Sequence, residues 1–240
     1  MMQDAVVLIT GGAKGIGLAI AERVIARGAR AILWDVDPAA LEHAAGHLGA
    51  RALVQQVDIS DPEAVSRAEL ALTVAPTHLV NNAGIIGRKM DLAALDVAEV
   101  DRVLGINLRG TLLATAAFLR ARSAHPAAGI VNMASIAGMN GGAPGHAIYG
   151  ATKGALLALT AAMARDLAPG LRVNALAPGI IDTEIQTQLF ASRTALEATT
   201  AGIPAARLGT VQEVAEAAEW LLFGAAYVSG EVIRVAGGRK

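Results

Sequence analysis

The chain has 240 residues, 54% of them hydrophobic and 17% charged, with a net charge of −1 and no cysteine. That length buries a substantial core and is most simply one domain over 1–240, and the composition lies far from that of disordered chains. No run of lysine or arginine supplies the clustered positive charge that nucleic-acid phosphates require. The missing cysteine excludes disulfides, thiolate catalysis and thiolate metal sites, and no metal site is anticipated. The segment MMQDAVVLIT has neither the basic stretch nor the apolar length of a signal peptide. No uninterrupted apolar run approaches bilayer length, so a cytoplasmic protein without membrane contact is expected.

Taken in chain order, short apolar runs recur at 5–10 (AVVLIT), 31–34 (AILW), 52–57 (ALVQQV), 78–81 (HLVN), 130–133 (IVNM), 172–176 (RVNAL) and 231–235 (EVIRV). Runs without in–out alternation predict strands covered on both faces, as in parallel sheets. Alanine- and leucine-rich segments with helical spacing separate them. Asp37-Pro38 and Asp61-Pro62 read as helix caps followed by proline at the first helical position, and Asp96 with Glu99 forms a capping-box-like pair. The alternation predicts an α/β chain, a single-domain doubly wound (Rossmann-type) sandwich whose seven-stranded parallel sheet carries helices on both faces. The segment 183–206 follows a strand end without becoming a strand. It reads either as a substrate lid at the carboxyl edge of the sheet or as a structural helical excursion.

The first strand runs into TGGAKGIG, where Gly11, Gly15 and Gly17 let backbone N–H groups approach a pyrophosphate at a helix N-terminus. The second ends in ILWDVD. There Asp35 suits the hydroxyls of an adenosine ribose and repels a 2′-phosphate, which favours NAD. Lys14 in the turn pulls toward NADP, but like-charge repulsion at close range gives Asp35 the greater weight. Asp37 reads only as a helix cap. Asp58, in VDI at the third strand end, suits an adenine amino group or is merely a polar strand end. In NNAG, Asn81 reads as structural, satisfying backbone groups.

Tyr149, one of two tyrosines, stands four residues before Lys153, on one face of a predicted helix. An unperturbed phenol, with a pKa of about 10, is a poor base near neutrality. A nearby ammonium and an oxidised nicotinamide would favour the phenolate, and Tyr149 would then take an alcohol proton while hydride leaves the carbinol carbon. Ser135 follows the fifth strand, at the ligand-binding edge, where its hydroxyl would hold the substrate oxygen. Among candidate pocket residues, Ile136, Met139, Asn140, His146, Ile180, Glu184, Gln186 and Gln188, few are charged, so a small neutral alcohol or ketone is expected. His146 reads as a solvent-exposed loop histidine or as a substrate contact.

The ordered set TGGAKGIG, Asp35, VDI, NNAG, INLRG, IVNMAS, YGATK, RVNALAPGIIDT and GEVIRVAGG resembles the short-chain dehydrogenase/reductase family in its shorter, sugar- or polyol-dehydrogenase-like branch. By that resemblance Asn107, Ser135, Tyr149 and Lys153 form the catalytic tetrad. Asn107 would anchor a water in a proton relay, and Lys153 would also hold the nicotinamide ribose. The resemblance implies cofactor contacts from Gly11, Lys14, Gly15, Ile16, Gly17, Asp35, Asp58, Ile59, Asn82, Ala83 and Gly84. In PGIIDT, Pro178 and Gly179 would make a turn, Ile181 would meet the nicotinamide carboxamide, and Thr183 would contact carboxamide or pyrophosphate. Substrate contacts are expected from Ser135, Asn140, His146 and Tyr149. The resemblance further implies a homodimer or homotetramer, with helices at 97–121 and 149–167 pairing across the dimer.

The step from Ser135 to Tyr149 is one residue longer than the family's usual spacing, and the excess falls in MNGGAPGH. The stretch between Asp58 and Asn81 is short. The expected activity is NAD(P)-dependent interconversion of a secondary alcohol and its ketone. A 3-oxoacyl thioester reductase, an idle NAD-binding scaffold and a methyltransferase are the alternatives.

Overall fold

The computed structural model describes residues 4–190 and 192–240, without the side chains of Thr187 and Gln188. Met1–Gln3 of the N-terminal reading and the Gln188 side chain proposed for the pocket therefore lie outside the described residues. Strand and helix alternate as expected: β1 (Val6–Thr10), α1 (Gly15–Ala26), β2 (Arg30–Asp35), α2 (Pro38–Leu48), β3 (Ala52–Gln56), α3 (Pro62–Leu70) and β4 (His78–Asn81). The second half adds α4 (Val97–Leu104), α5 (Thr111–Ala121), β5 (Gly129–Met133), α6 (Ala137–Asn140), α7 (Ala147–Asp166), β6 (Arg172–Pro178), α8 (Arg193–Ala198), α9 (Val211–Glu219) and β7 (Val232–Val235). The sheet has seven strands in the order β3-β2-β1-β4-β5-β6-β7, and neighbouring strands pair in parallel throughout. The order reverses between β1 and β4, which opens a crevice at their carboxyl ends.

The unbroken apolar runs have their cause in two cores. Val7 and Ile9 of β1 pack with α1 and α9 residues such as Ile20 and Val214, whereas Val6 and Leu8 pack with Val65, Phe118 and Met163 on the opposite face. Both faces of each central strand are thus covered, so alternation disappears from the sequence.

The caps at Asp37 and Asp61 form as expected, accepting from the backbone N–H of Ala40 and of Glu63. The Asp96–Glu99 box does not close. Asp96 accepts from the backbone N–H of Ala98 and Glu99, but Glu99 turns inward, is 3% exposed, and accepts from Arg102 and the Arg88 backbone. A reciprocal box instead joins Thr210 and Glu213 at the start of α9. Between α4 and α5 the helix widens into a π-turn over Gly105–Gly110, which carries Asn107 inside at 0% exposure. Helix α7 is long and apolar enough to cross a membrane by length and composition alone, although Lys153 interrupts it; here it packs on α6 and β6. The segment 183–206 forms 3-10 turns at Glu184–Gln188 and Thr199–Gly202 around α8.

Candidate active site

The carboxyl ends of β1 and β4 lie side by side, with Thr10 in register with Asn81. Thr10 Oγ1 accepts from the backbone N–H of Asn82 and Ala83 at 3.0 and 3.1 Å, and Asn82 Nδ2 donates to the carbonyls of Thr10 and Gly11. NNAG therefore braces the glycine turn. Gly11 and Gly15 adopt φ of 60° and 52°, the left-handed region that glycine takes without strain. A methyl on Gly17 would lie 2.1 Å from the Gly11 carbonyl oxygen, so the turn and the first helical residues touch directly. No side chain caps α1, and its first N–H groups remain available beside the cleft. Uncapped donors, left-handed glycines and a cleft of about 820 Å³ fit a dinucleotide phosphate.

Gly11, Lys14, Gly15 and Ile16 line that cleft from one side, with Asn82, Ala83 and Gly84 beside them. Pro178, Gly179, Ile181 and Thr183 line the other. A methyl on Gly15 would lie 3.8 Å from Thr183 Cγ2, so the segment after β6 faces the glycine turn. Four expected cofactor residues do not line it. Gly17 is packed against Gly11, and Ile59 lies against Gly110 in the core. Asp58 is exposed and accepts from the Ser60 hydroxyl and backbone N–H. Asp35 accepts from the backbone N–H of Ala13 and of Asp37, holding the turn from behind. Ala40, His43 and Val211 also face the cleft. No motif marks them, because helix packing alone brings α2 and α9 to this edge.

The reactive end gathers Ser135, Tyr149 and Lys153 around the same cleft. Ser135 Oγ accepts from the Ala137 backbone, and its hydroxyl is near enough to Tyr149 to favour the phenolate. Lys153 Nζ donates to the Met133 carbonyl at 2.7 Å and sits 5.8 Å from the centroid of the Tyr149 ring. A methyl on Gly84 would lie 3.4 Å from that Nζ and 3.3 Å from Asn107 Oδ1, so glycine there leaves room for both. The Asn107 carboxamide is fully engaged, accepting from the Ile85 N–H and donating to the Ile85 carbonyl and Thr152 hydroxyl. It ties the loop after β4 to α7, behind the reactive groups.

The electrostatics differ in one respect from the expectation. Burial pushes the Tyr149 phenol up, opposed by the nearby Ser135 hydroxyl. Burial also pulls Lys153 down from 10.5 to about 8. With a pKa of about 8, Lys153 keeps most of its charge near neutrality, so desolvation of the phenol, not loss of the ammonium, sets the direction of the Tyr149 shift.

Two expected substrate residues sit elsewhere. Asn140 is exposed, with Nδ2 donating to the Lys240 carbonyl and Oδ1 accepting from Gly142, and it does not line the cleft. His146 is not a solvent-exposed loop residue. It is 6% exposed at the start of α7, with Nδ1 unpartnered among the described residues. Burial, then the charge of Lys89, lowers its pKa. The 139–146 connection is also less free than its composition suggests. Met139 and Asn140 end α6, Gly141, Gly142 and Gly145 take positive φ, and the Gly145 carbonyl accepts from Met90. Of the remaining pocket candidates, Glu184 and Gln186 line the cleft.

Comparison with known proteins decides the family. A family profile described as enoyl-(acyl carrier protein) reductase matches residues 11–240. The galactitol 2-dehydrogenase (L-tagatose-forming) of Cereibacter sphaeroides is 39% identical over 99% of this chain and 95% of its own. The chain belongs to the short-chain dehydrogenase/reductase family. The 2-(S)-hydroxypropyl-CoM dehydrogenase 3 of Xanthobacter autotrophicus is 38% identical, covering 99% of this chain and 97% of its own. A 3-ketoacyl-(acyl-carrier-protein) reductase from Brucella melitensis, solved in complex with NADH, superposes with a TM-score of 0.91 at 33% identity, over 100% of this chain and 99% of that one. This short-chain dehydrogenase/reductase is an NAD(P)-dependent oxidoreductase acting on CH–OH groups.

Proposed function

We propose that the enzyme interconverts a secondary alcohol, in the first instance a polyol, sugar or cyclic alcohol, and its ketone, with NAD preferred over NADP. The observation that carries the reading is the convergence of Ser135, Tyr149 and Lys153 on one cleft, with Lys153 buried on the Met133 carbonyl. In oxidation, Ser135 donates a hydrogen bond to the substrate oxygen, and the Tyr149 phenolate takes the hydroxyl proton as hydride leaves the carbinol carbon. The nicotinamide, when bound, supplies the hydride acceptor. In reduction Tyr149 Oη returns the proton to the carbonyl oxygen. Lys153 favours the phenolate whenever it is charged and would hold the nicotinamide ribose; Asn107 positions the loop that flanks both.

Substrate class rests on the lining. Gln186 is 8% exposed with Oε1 unpartnered among the described residues, an acceptor suited to a substrate hydroxyl. The galactitol-acting relative supports the polyol reading. A 3-oxoacyl thioester reductase is the second reading, supported by the Brucella neighbour. A homo-oligomer is proposed as well, since Val97, Leu104 and Leu112 leave apolar side chains exposed along α4 and α5.

Parallel turnover assays of polyols, cyclic alcohols and 3-oxoacyl thioesters with NAD(H) and NADP(H) test the proposal. Turnover of a polyol or cyclic alcohol with NAD is expected. Activity confined to the thioesters selects the second reading, and cofactor binding without turnover of any member of the panel overturns both.

A further inference from the structure

A glycine inside a helix is less stable than alanine unless a neighbour needs the space. Gly46 in α2, Gly138 in α6, and Gly150 and Gly154 in α7 all lack positive φ, so alanine suits their backbone. Around Gly46 a methyl would meet nothing within 4 Å. The other three lie where α6 meets α7. A methyl on Gly138 would lie 2.5 Å from the Lys153 carbonyl carbon and 2.6 Å from the Gly154 nitrogen. One on Gly150 would lie 2.7 Å from the Gly141 carbonyl oxygen, and one on Gly154 would lie 3.2 Å from that of Gly138. The two helices therefore touch backbone to backbone.

Helix α6 carries Ser135 on its first turn. The Ala137 N–H donates to Ser135 Oγ at 3.1 Å, and the Gly138 N–H donates to the Ser135 carbonyl at 3.0 Å. Helix α7 carries Tyr149 and Lys153, which directly precede Gly150 and Gly154. We infer that Gly138 is a positioning residue, which sets the Ser135 hydroxyl against the Tyr149 phenol by seating α6 directly on the α7 backbone. The inference rests on the roles proposed above for Ser135 and Tyr149. A methyl at 2.5 Å must retreat by about 1 Å to reach ordinary contact. Helix α6 has four residues, whereas α7 has twenty and packs on β6 and α4, so α6 is the element that gives way. Ser135 moves with it, away from Tyr149. Lys153, the charged group beside the phenol ring, stays in place on α7.

Gly138→Ala is assayed with the member of the substrate panel that wild type turns over best. A displacement of about 1 Å is expected to lower kcat about a hundredfold. NADH affinity, read by fluorescence titration, is expected to stay within about threefold, because the glycine turn and α7 keep their places. The Ser135 hydroxyl favours the phenolate, so its retreat is expected to move the acid limb of the kcat profile for oxidation toward higher pH. In a Ser135→Ala background, Gly138→Ala is expected to lower kcat further by less than about threefold, since both substitutions remove one contact. Gly150→Ala, which overlaps a loop carbonyl, is the second variant, with an expected loss of about tenfold. Gly46→Ala, the control, is expected to change kcat less than about twofold. A folded Gly138→Ala with the kcat of wild type overturns the inference, and so does a loss that persists in full in the Ser135→Ala background. If Gly138→Ala does not fold, the same cycle with Gly150→Ala decides by the same criteria. A Ser135→Ala variant with unchanged kcat instead overturns the proposed role of Ser135 itself.

Discussion

Replacing Lys153 by methionine separates what the lysine costs the fold from what it does for the reaction. Its Nζ is buried at the cleft base on the Met133 carbonyl, and burial lowers its pKa from 10.5 to about 8. With the folded pKa below the unfolded one, the unfolded chain holds the extra proton. This group's contribution to stability is therefore complete above pH 10.5 and is lost as pH falls through about 8. The native state then carries a charge-burial cost of about 3 kcal/mol at pH 7 and about 1 kcal/mol at pH 9.5. Methionine carries no such cost but leaves the Met133 carbonyl unpaired, a loss of about 1 kcal/mol at either pH. Free of cofactor, Lys153→Met is expected to exceed wild type by about 2 kcal/mol at pH 7 and to match it at pH 9.5. Turnover is expected to fall at least about a thousandfold, since the phenolate's counter-charge and the proposed ribose contact both go. Urea unfolding followed by circular dichroism at the two pH values reads the difference. An equal stability difference at both values would refute the buried-charge reasoning.

Tyr149→Phe removes one oxygen from the cleft, so kcat is expected to drop at least about a thousandfold while NADH affinity stays within about threefold. A variant that lost cofactor binding instead would make Tyr149 a binding group. Gly17→Ala places a methyl 2.1 Å from the Gly11 carbonyl oxygen, which forces the turn apart. A loss of at least about tenfold in NADH affinity and a lower melting temperature are expected, at an overpacking cost of about 1–3 kcal/mol; unchanged titrations would show the turn to be plastic. His78 is buried between Thr77 and the Ala127 carbonyl, and burial, then the charges of His125 and Arg172, lowers its pKa from 6.5 to about 3. Its stabilising contribution is present above pH 6.5 and lost as pH falls toward 3, so His78→Gln is expected to unfold at a lower pH than wild type in an acid titration monitored by circular dichroism. An unmoved acid midpoint would place the acid sensitivity elsewhere.

Much of this was legible in the sequence because the signals are local. A short apolar run that leads into a glycine turn reads as a strand, as Val6–Thr10 is, and the spacing of Gly11, Gly15 and Gly17 marks a turn whose tightness the structure bears out. Four-residue spacing placed Tyr149 and Lys153 on one helical face, and both line one cleft. What escaped depends on chain segments that meet only after folding. His146 looked exposed within a glycine-rich loop, yet the 85–91 segment closes over that loop through Met90 and Gly145, and Lys89 approaches the imidazole. Glu99 has the spacing of a capping-box partner, but Arg88 and Arg102 compete for its carboxylate, and two guanidinium groups outweigh a single backbone N–H.

The rim shared by the glycine turn and the start of α2 shows why such competition escapes a one-dimensional reading. Lys14 and Asp37 belong to different turns, and each has a sufficient local account, one as a turn cation and the other as a cap. Strand order brings them together: β1 and β2 are parallel neighbours with Thr10 in register with Trp34, so both strands end at the same level and their following turns share one rim. Any residue just beyond β2 is thereby within reach of the turn after β1, as the Ala13 N–H on Asp35 and the Lys14 Nζ on Asp37 both show. The Lys14–Asp37 contact is therefore a product of strand order, and neither residue's local account contains it.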